Sequence, residues 1–367
     1  MLPLRSPFSS DYVTARDRFI AEARLSGSVG SYFLNAGDAH NGALLATDVA
    51  WLGPAEPSGI LLVTSGTHGV EGYAGSAVQL CIAAELAAFG LDSSCAVVLV
   101  HALNPFGFAH DRRVNEDNVD INRNFVNFDR LPPCGAGYAL LHPMLVPASW
   151  EGRARHDADA GISALVAEWG MPRFQQVICE GQYAFEDGLF FGGSGPSWSN
   201  GIWRTILAQL PSSAACIAHI DVHTGLGPYG YGEILSTLND EDGNQELAAS
   251  WYGDLGLRAH GTGTSSATKV VGTMNRALLA LLPERQVCTV SLEFGTVEIG
   301  RMLDALRADN WLHLHGDLRS PLGQEIKREL RTCFCPTDRH WQDAVVARAL
   351  AVFRRTYDRL EELVALA

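Results

Sequence analysis

Ile60-Leu61-Leu62-Val63-Thr64-Ser65-Gly66-Thr67-His68-Gly69-Val70-Glu71 is the stretch on which the reading of this chain turns. Ile60 to Thr64 is an apolar, β-branched run of the kind buried in a sheet, and Ser65-Gly66-Thr67 supplies a permissive turn after it. His68 and Glu71 follow at the carboxyl end of that strand. From residue 73 onward Ala, Leu and Ile dominate, with Gly90 placed where a helix would stop. Strand, turn and helix form one unit, and its bend carries two side chains able to ligate a metal.

The same unit recurs along the chain. Residues 96–103 are a continuous apolar run ended by Asn104-Pro105, as expected of a central strand covered on both faces, and residues 215–221 and 287–294 repeat that character. Helical patterns lie near 157–169, 198–210 and from 343 to the carboxyl end. Alternating strands and helices predict an α/β fold, a three-layer αβα sandwich around a mostly parallel mixed sheet. No internal repeat is visible. Pro and Gly are dense over 131–147 and 188–201, which predicts long surface loops. The chain therefore reads as a single domain over 1–367, with loop insertions at about 126–215 and a carboxyl-terminal helix.

Composition narrows the class. With 47% hydrophobic and 19% charged residues among 367, the chain can bury a large core and lacks the profile of a disordered protein. A formal charge of -14 disfavours a phosphate-backbone partner, so no nucleic acid is expected. The opening MLPLRSPFSSDYVTARDRF has no uninterrupted apolar core and no small-residue cleavage pattern, and no later stretch reads as a membrane span. A soluble, cytoplasmic protein is the expectation. The eight cysteines are scattered, several inside apolar runs, and read as small buried hydrophobes rather than disulfide partners.

A second cluster, Asp221-Val222-His223, follows the run at 215–221 and supplies a third ligand far from the first two. Zinc in a hydrolase takes three protein ligands, often two His and one Glu, and leaves a fourth position for water. Two ligands close in sequence set the geometry locally, and a distant one closes the tetrahedron through the fold. His68, Glu71 and His223 meet that need for one zinc per chain. In open α/β sheets the ligand site lies outside the carboxyl ends of the strands, where His68, Asn104, His223 and Glu293 all fall. Glu293, in Ser291-Leu292-Glu293-Phe294-Gly295, is a lone carboxylate among apolar neighbours and must justify its desolvation. It reads either as an ion-paired structural residue or as the base that takes a proton from water and passes it to a leaving amine.

The segment 104–125, NPFGFAHDRRVNEDNVDINRNF, adds Arg113 in Arg113-Val114-Asn115 and Asp120-Ile121-Asn122-Arg123-Asn124-Phe125. Taken in order with HGVE, DVH and LEF, these elements resemble the zinc carboxypeptidases of the M14 class, which carry HxxE, a lone Arg, an Asn-Arg pair, a third His and a Glu. The wording THGVEGYAGSA, RRVNEDNVDINRNF and DVHTGLGPYG is most similar to the bacterial DUF2817 branch. The resemblance covers roughly residues 45–300 and implies a carboxypeptidase-like fold.

It also implies roles. Arg113 would meet the developing oxyanion, with Arg112 the alternative if the assignment slips by one; the Arg-x-Asn spacing favours Arg113. Arg123 with Asn122 would hold a substrate carboxylate, since a guanidinium can bind it bidentately. Asp221, two residues before His223 on the same strand face, would orient a ligand His, or less favourably bind a second metal. Peptide-cleaving members carry a mobile Tyr some twenty residues before the Glu, and residues 271–282 contain none. Tyr229 and Tyr231 are the substitutes, or else surface aromatics. A small peptide or an N-acyl amino acid with a free carboxylate is the implied substrate. A peptidase and a deacylase of the aspartoacylase or succinylglutamate desuccinylase type both remain open. A non-catalytic metal-binding relative is the third reading, against which Glu293 and Arg113 speak, because a binding module needs neither. Gly192-Gly193-Ser194-Gly195 lacks the Lys and Ser/Thr of a phosphate loop and reads as a pocket wall or lid.

Overall fold

The quoted apolar run becomes β3 (Gly59–Thr64), in the interior of an eight-stranded sheet. The computed structural model describes residues 6–39, 42–90, 94–236, 244–259 and 270–366. The other strands are β1 (Gly27–Asp38), β2 (Leu44–Leu52), β4 (Cys95–His101), β5 (Cys216–Tyr229), β6 (Gly232–Ser236), β7 (Leu257–Ala259) and β8 (Gln286–Gly295), in the order β1-β2-β4-β3-β5-β8-β6-β7. β4, β3, β5 and β8 are mutually parallel, as are β6 and β7, while β1, β2 and the β6–β8 pair add antiparallel edges. This is the expected mixed sheet with a parallel centre.

Alternation along β3 explains why its whole run is apolar. Leu61 and Val63 join one buried cluster while Ile60 and Leu62 join another on the opposite face. The helices are α1 (Tyr12–Ala23), α2 (Gly72–Phe89), α3 (Pro105–Ala109), α4 (Ala136–Leu145), α5 (Gly152–Trp169), α6 (Met171–Cys179), α7 (Trp198–Ala208), α8 (Asn244–Tyr252), α9 (Met274–Leu281), α10 (Ile299–His315), α11 (Pro321–Phe334) and α12 (Arg339–Leu366). α1, α2, α8 and α12 supply Phe19, Val78, Trp251 and Val352 to the first face; α7 and α9 supply Trp203 and Leu278 to the second. Three layers result.

Two expectations are corrected. Residues 131–147 are not a loop, because 136–145 are α4, with Pro143 inside it. The insertion at about 126–215 carries α4, α5, α6 and α7, so it is largely helical. Its Gly and Pro content hid an apolar stripe, Tyr138, Leu141 and Leu145, that packs with Phe174, Ile178, Met302 and Phe334 into a third cluster. Among the described residues one helix, α2 with its leading turn (Gly69–Phe89), is apolar and long enough to cross a membrane by composition, which the sequence reading passed over. Most of it is buried within the protein, and its residues join the core shared with α1 and α12.

Candidate metal centre

The turn after β3 is built by contact. Gly66 takes a left-handed φ of +62°, and the backbone N–H groups of Gly69 and Val70 donate to the carbonyls of Arg113 and Arg112 at 3.1 and 2.8 Å. The approach is close enough that a Cβ on Gly69 would stand 2.0 Å from the carbonyl carbon of Gly107 in α3. Asn104, at the same sheet edge, caps α3 through the Gly107 N–H at 2.9 Å. β5 outruns β3: Asp221 pairs with Thr64, the last residue of β3, and His223 lies beyond it, beside Glu293 of β8. His68, Glu71 and His223 therefore converge, and one ligating atom from each lies within 4.8 Å of the others. All three are buried.

The two rings are arranged alike, except that Arg113 Nη2 also lies 2.8 Å from His68 Nε2. His68 Nδ1 faces Glu71 Oε1 at 2.8 Å, and His223 Nδ1 faces Glu71 Oε2 at 2.9 Å. Each Nε2 faces another buried carboxylate, Asp120 Oδ1 at 3.0 Å for His68 and Asp221 Oδ2 at 2.6 Å for His223. Both nitrogens of each ring thus face carboxylate oxygens; with a cation in place of protons on the Glu71 side, each Nδ1 would be the inward-facing ligand atom, and the Asp221 carboxylate, which only accepts, would hold the His223 proton on Nε2. Asp221 is fixed in turn by the hydroxyls of Thr64 and Thr67, which donate to Oδ1 at 2.6 and 2.9 Å. The sequence placed Asp221 but gave Asp120 no role; its signal was its position two residues before Asn122.

Burial would raise the Glu71 carboxyl, but His68 and His223 outweigh it and hold the group well below the carboxylate range. Burial works against a charged His223, and the Asp221 carboxylate overcomes it to raise the ring well above its ordinary value. Glu293 moves the other way. Burial first and the Glu71 charge second push it up to about 7, against the Leu226 N–H that donates to its Oε1 at 3.0 Å.

A cavity of about 110 Å3 opens beside these groups, lined also by Arg113, Asn122, Arg123 and Phe190. Arg113 donates from Nε to Asp120 Oδ2 and from Nη1 to Glu71 Oε1, both at 3.1 Å. Arg112 turns away to Asp309, its Nε 3.2 Å from Oδ2, so the one-residue alternative falls outside the cavity. Arg123 spends Nε and Nη2 on the Cys179 carbonyl at 3.0 and 2.6 Å and Nη1 on the Asn122 carbonyl at 2.8 Å. These hydrogen bonds all go to main-chain carbonyls, and burial lowers its pKa. Phe190, which the sequence did not single out, lies under both guanidiniums, 5.2 Å from Arg113 and 5.7 Å from Arg123, with a left-handed φ of +54°.

Tyr229 and Tyr231 are not brought in. They are 54% and 40% exposed, do not line the cavity, and Tyr229 bonds Asp338 at 3.3 Å. Gly192 and Gly195 bind Asn124 through their carbonyls rather than lining the cavity. All eight cysteines are free.

Solved structures of similar shape include a carboxypeptidase A from Helicoverpa armigera, at 11% identity over 91% of this chain and 76% of that one, with a TM-score of 0.48. A murein-tripeptide amidase from Escherichia coli O157 is similar at 15% identity, 81% and 92% coverage and a TM-score of 0.33. A succinylglutamate desuccinylase from a Silicibacter species follows at 14% identity, 79% and 68% coverage and 0.37. No curated protein matches the sequence. The family description that does match, protein of unknown function (DUF2817), extends over residues 8–348, and the chain belongs to that family.

Proposed function

We propose that this protein is a zinc-dependent amide hydrolase acting on a small peptide or N-acyl amino acid that bears a free carboxylate. The observation that carries the reading is the buried His68–Glu71–His223 group, each ring backed by its own carboxylate, opening on a cavity that also holds Glu293, Arg113 and Arg123. The donor set fits zinc. Four bonds of about 2.1 Å place neighbouring ligand atoms about 3.4 Å apart. Here two pairs stand at 2.8 and 2.9 Å and none exceeds 4.8 Å. Two inward ring nitrogens around one carboxylate are satisfied either by extra protons or by a single cation.

The ion, when bound, supplies Lewis acidity for an amide carbonyl and for water. Glu293, held near neutrality by its burial, takes the proton from water and delivers it to the departing nitrogen. Arg113 donates to the carbonyl oxygen as negative charge develops there. Arg123, a buried cation hydrogen-bonded to main-chain carbonyls, receives the substrate carboxylate, and Asn122 lines the cavity beside it. Phe190 offers its face to both arginines.

The test is metal content together with turnover. Purified protein should hold one zinc per chain and cleave acyl amino acids in preference to their carboxamides. Absence of stoichiometric zinc after loading, or equal preference for acid and carboxamide, would exclude a carboxylate-directed zinc hydrolase.

A further inference from the structure

The cavity has two unlike linings. Arg113, Arg123 and Asn122 supply the polar one. For the apolar one, α10 turns Ile299, Met302, Leu303 and Leu306 inward, at spacing i, i+3, i+4, i+7, which is a single face of a helix. Phe174 and Ile178, one turn apart on α6, line the same cavity. The apolar stripe begins beside the base. A Cβ built on Gly225 would lie 3.3 Å from Met302 Cε and 3.4 Å from Glu293 Oε1, so Met302 and Glu293 flank the same glycine.

Charge decides what this wall accepts. Among the described residues that line the cavity, the carboxylates are Glu71 and Glu293 and the guanidiniums are Arg113 and Arg123. The reading above assigns all four. A substrate group carrying a further charge, such as a succinyl carboxylate or the ammonium of a free dipeptide, would lose its water against α10 and meet no unassigned opposite charge among the described residues. An uncharged apolar group loses nothing and gains burial.

We infer that the substrate is an amino acid N-acylated by an uncharged, apolar acyl group lying along α10, with its carboxylate on Arg123. The inference rests on the hydrolase reading for the roles of Glu293 and Arg123. In the reaction the oxygen of water bonds to the acyl carbon, the carbon–nitrogen bond breaks, and both protons of the water end on the nitrogen, the first by way of Glu293. The products are an apolar carboxylate and a free amino acid.

Binding tests this apart from turnover. Zinc-loaded Glu293→Gln protein would be titrated calorimetrically with N-acetyl, N-hexanoyl and N-succinyl conjugates of glycine and leucine, and with leucylglycine and leucyl-leucine. Each buried methylene contributes about fourfold in affinity. The hexanoyl conjugate of at least one amino acid should bind at least about tenfold tighter than its acetyl, succinyl and dipeptide counterparts. Ile299→Arg, at the half-buried start of α10, should shift the preference towards the succinyl conjugate, and circular dichroism would establish that it folds. Succinyl or dipeptide binding as tight as hexanoyl, or binding of none, overturns the inference. If the native protein shows the preference without cleaving any conjugate, the hydrolase reading fails and the acyl site stands. Cleavage of succinyl conjugates or dipeptides with equal or better kcat/KM than hexanoyl conjugates leaves the hydrolase reading intact and removes the acyl site.

Discussion

Glu71 and Glu293 face one cavity, yet their surroundings drive them apart: two histidines keep Glu71 ionised, while burial and the Glu71 charge bring Glu293 up to about 7. That division matches a permanent ligand and a proton carrier. Glu293→Gln should retain zinc while lowering kcat by about 10²- to 10⁴-fold, because the amide keeps the shape but cannot accept a proton; metal analysis beside steady-state kinetics checks both halves. The arginines should separate in the same assay. Arg123→Ala should narrow the difference in KM between a free acid and its carboxamide, whereas Arg113→Ala should depress kcat for both. Identical effects of the two substitutions would refute the assigned roles. Asp120→Asn should weaken zinc affinity by about 10- to 100-fold, as loss of a carboxylate behind a ligand histidine does, measured by competition with a chelator. His68, Glu71, His223 and Glu293 were legible in the sequence because each follows an apolar run, and strand ends in such sheets meet at one edge. Asp120 and Phe190 were not, because their partners, His68 Nε2 and the paired guanidiniums, are neighbours only in space.

The elements were legible where their pattern was simple. β3, β4 and β8 announced themselves as apolar runs, and α2 by composition and its closing Gly90. The insertion was misread because Gly135, Gly137 and Pro143 look like loop punctuation, yet Tyr138, Leu141 and Leu145 keep a helical spacing that only the packing against α6 and α10 makes decisive. The turn bearing His68 and Glu71 is itself sensitive to one atom. Gly69→Ala would set a methyl 2.0 Å from the Gly107 backbone, where no flexible side chain can give way. Overpacking costs about 1–3 kcal/mol where side chains can shift, and a backbone clash should reach at least the top of that range. The variant should lose several degrees of Tm by scanning calorimetry and retain less zinc. A variant with native Tm and full zinc content would show that α3 moves freely from the turn.

Across the whole molecule, metal should couple to stability. An ion bound by the folded chain alone stabilises it by mass action, so Tm should rise with added zinc and fall on chelation. Acid should act elsewhere as well. His313 accepts from Lys327 Nζ at 2.7 Å, and burial, against the pull of Asp309, pushes its pKa down to about 3. The unfolded ring, with its ordinary value of 6.5, binds a proton first, so this contribution is full above that pH and declines as pH falls towards 3. Tm should drop over that window, and His313→Gln should flatten the slope; an unchanged slope would assign the acid sensitivity to other groups.

The strand order has a consequence for the chain while it is being made. β5 sits between β3 and β8, so β3 waits from residue 64 until residue 216 before its second edge is filled. A growing polypeptide exposes that edge, with apolar side chains on both sides of it, throughout the synthesis of the helical insertion. A piece ending near residue 210 should therefore aggregate or bind a chaperone, while already holding His68 and Glu71. Release of such a piece as a soluble monomer would show that the insertion covers β3 for that interval. On the proposed reading hydrolysis needs Glu293 as well, so competence would come only once β8 has been made, and a copy ending before it should leave amides around it intact.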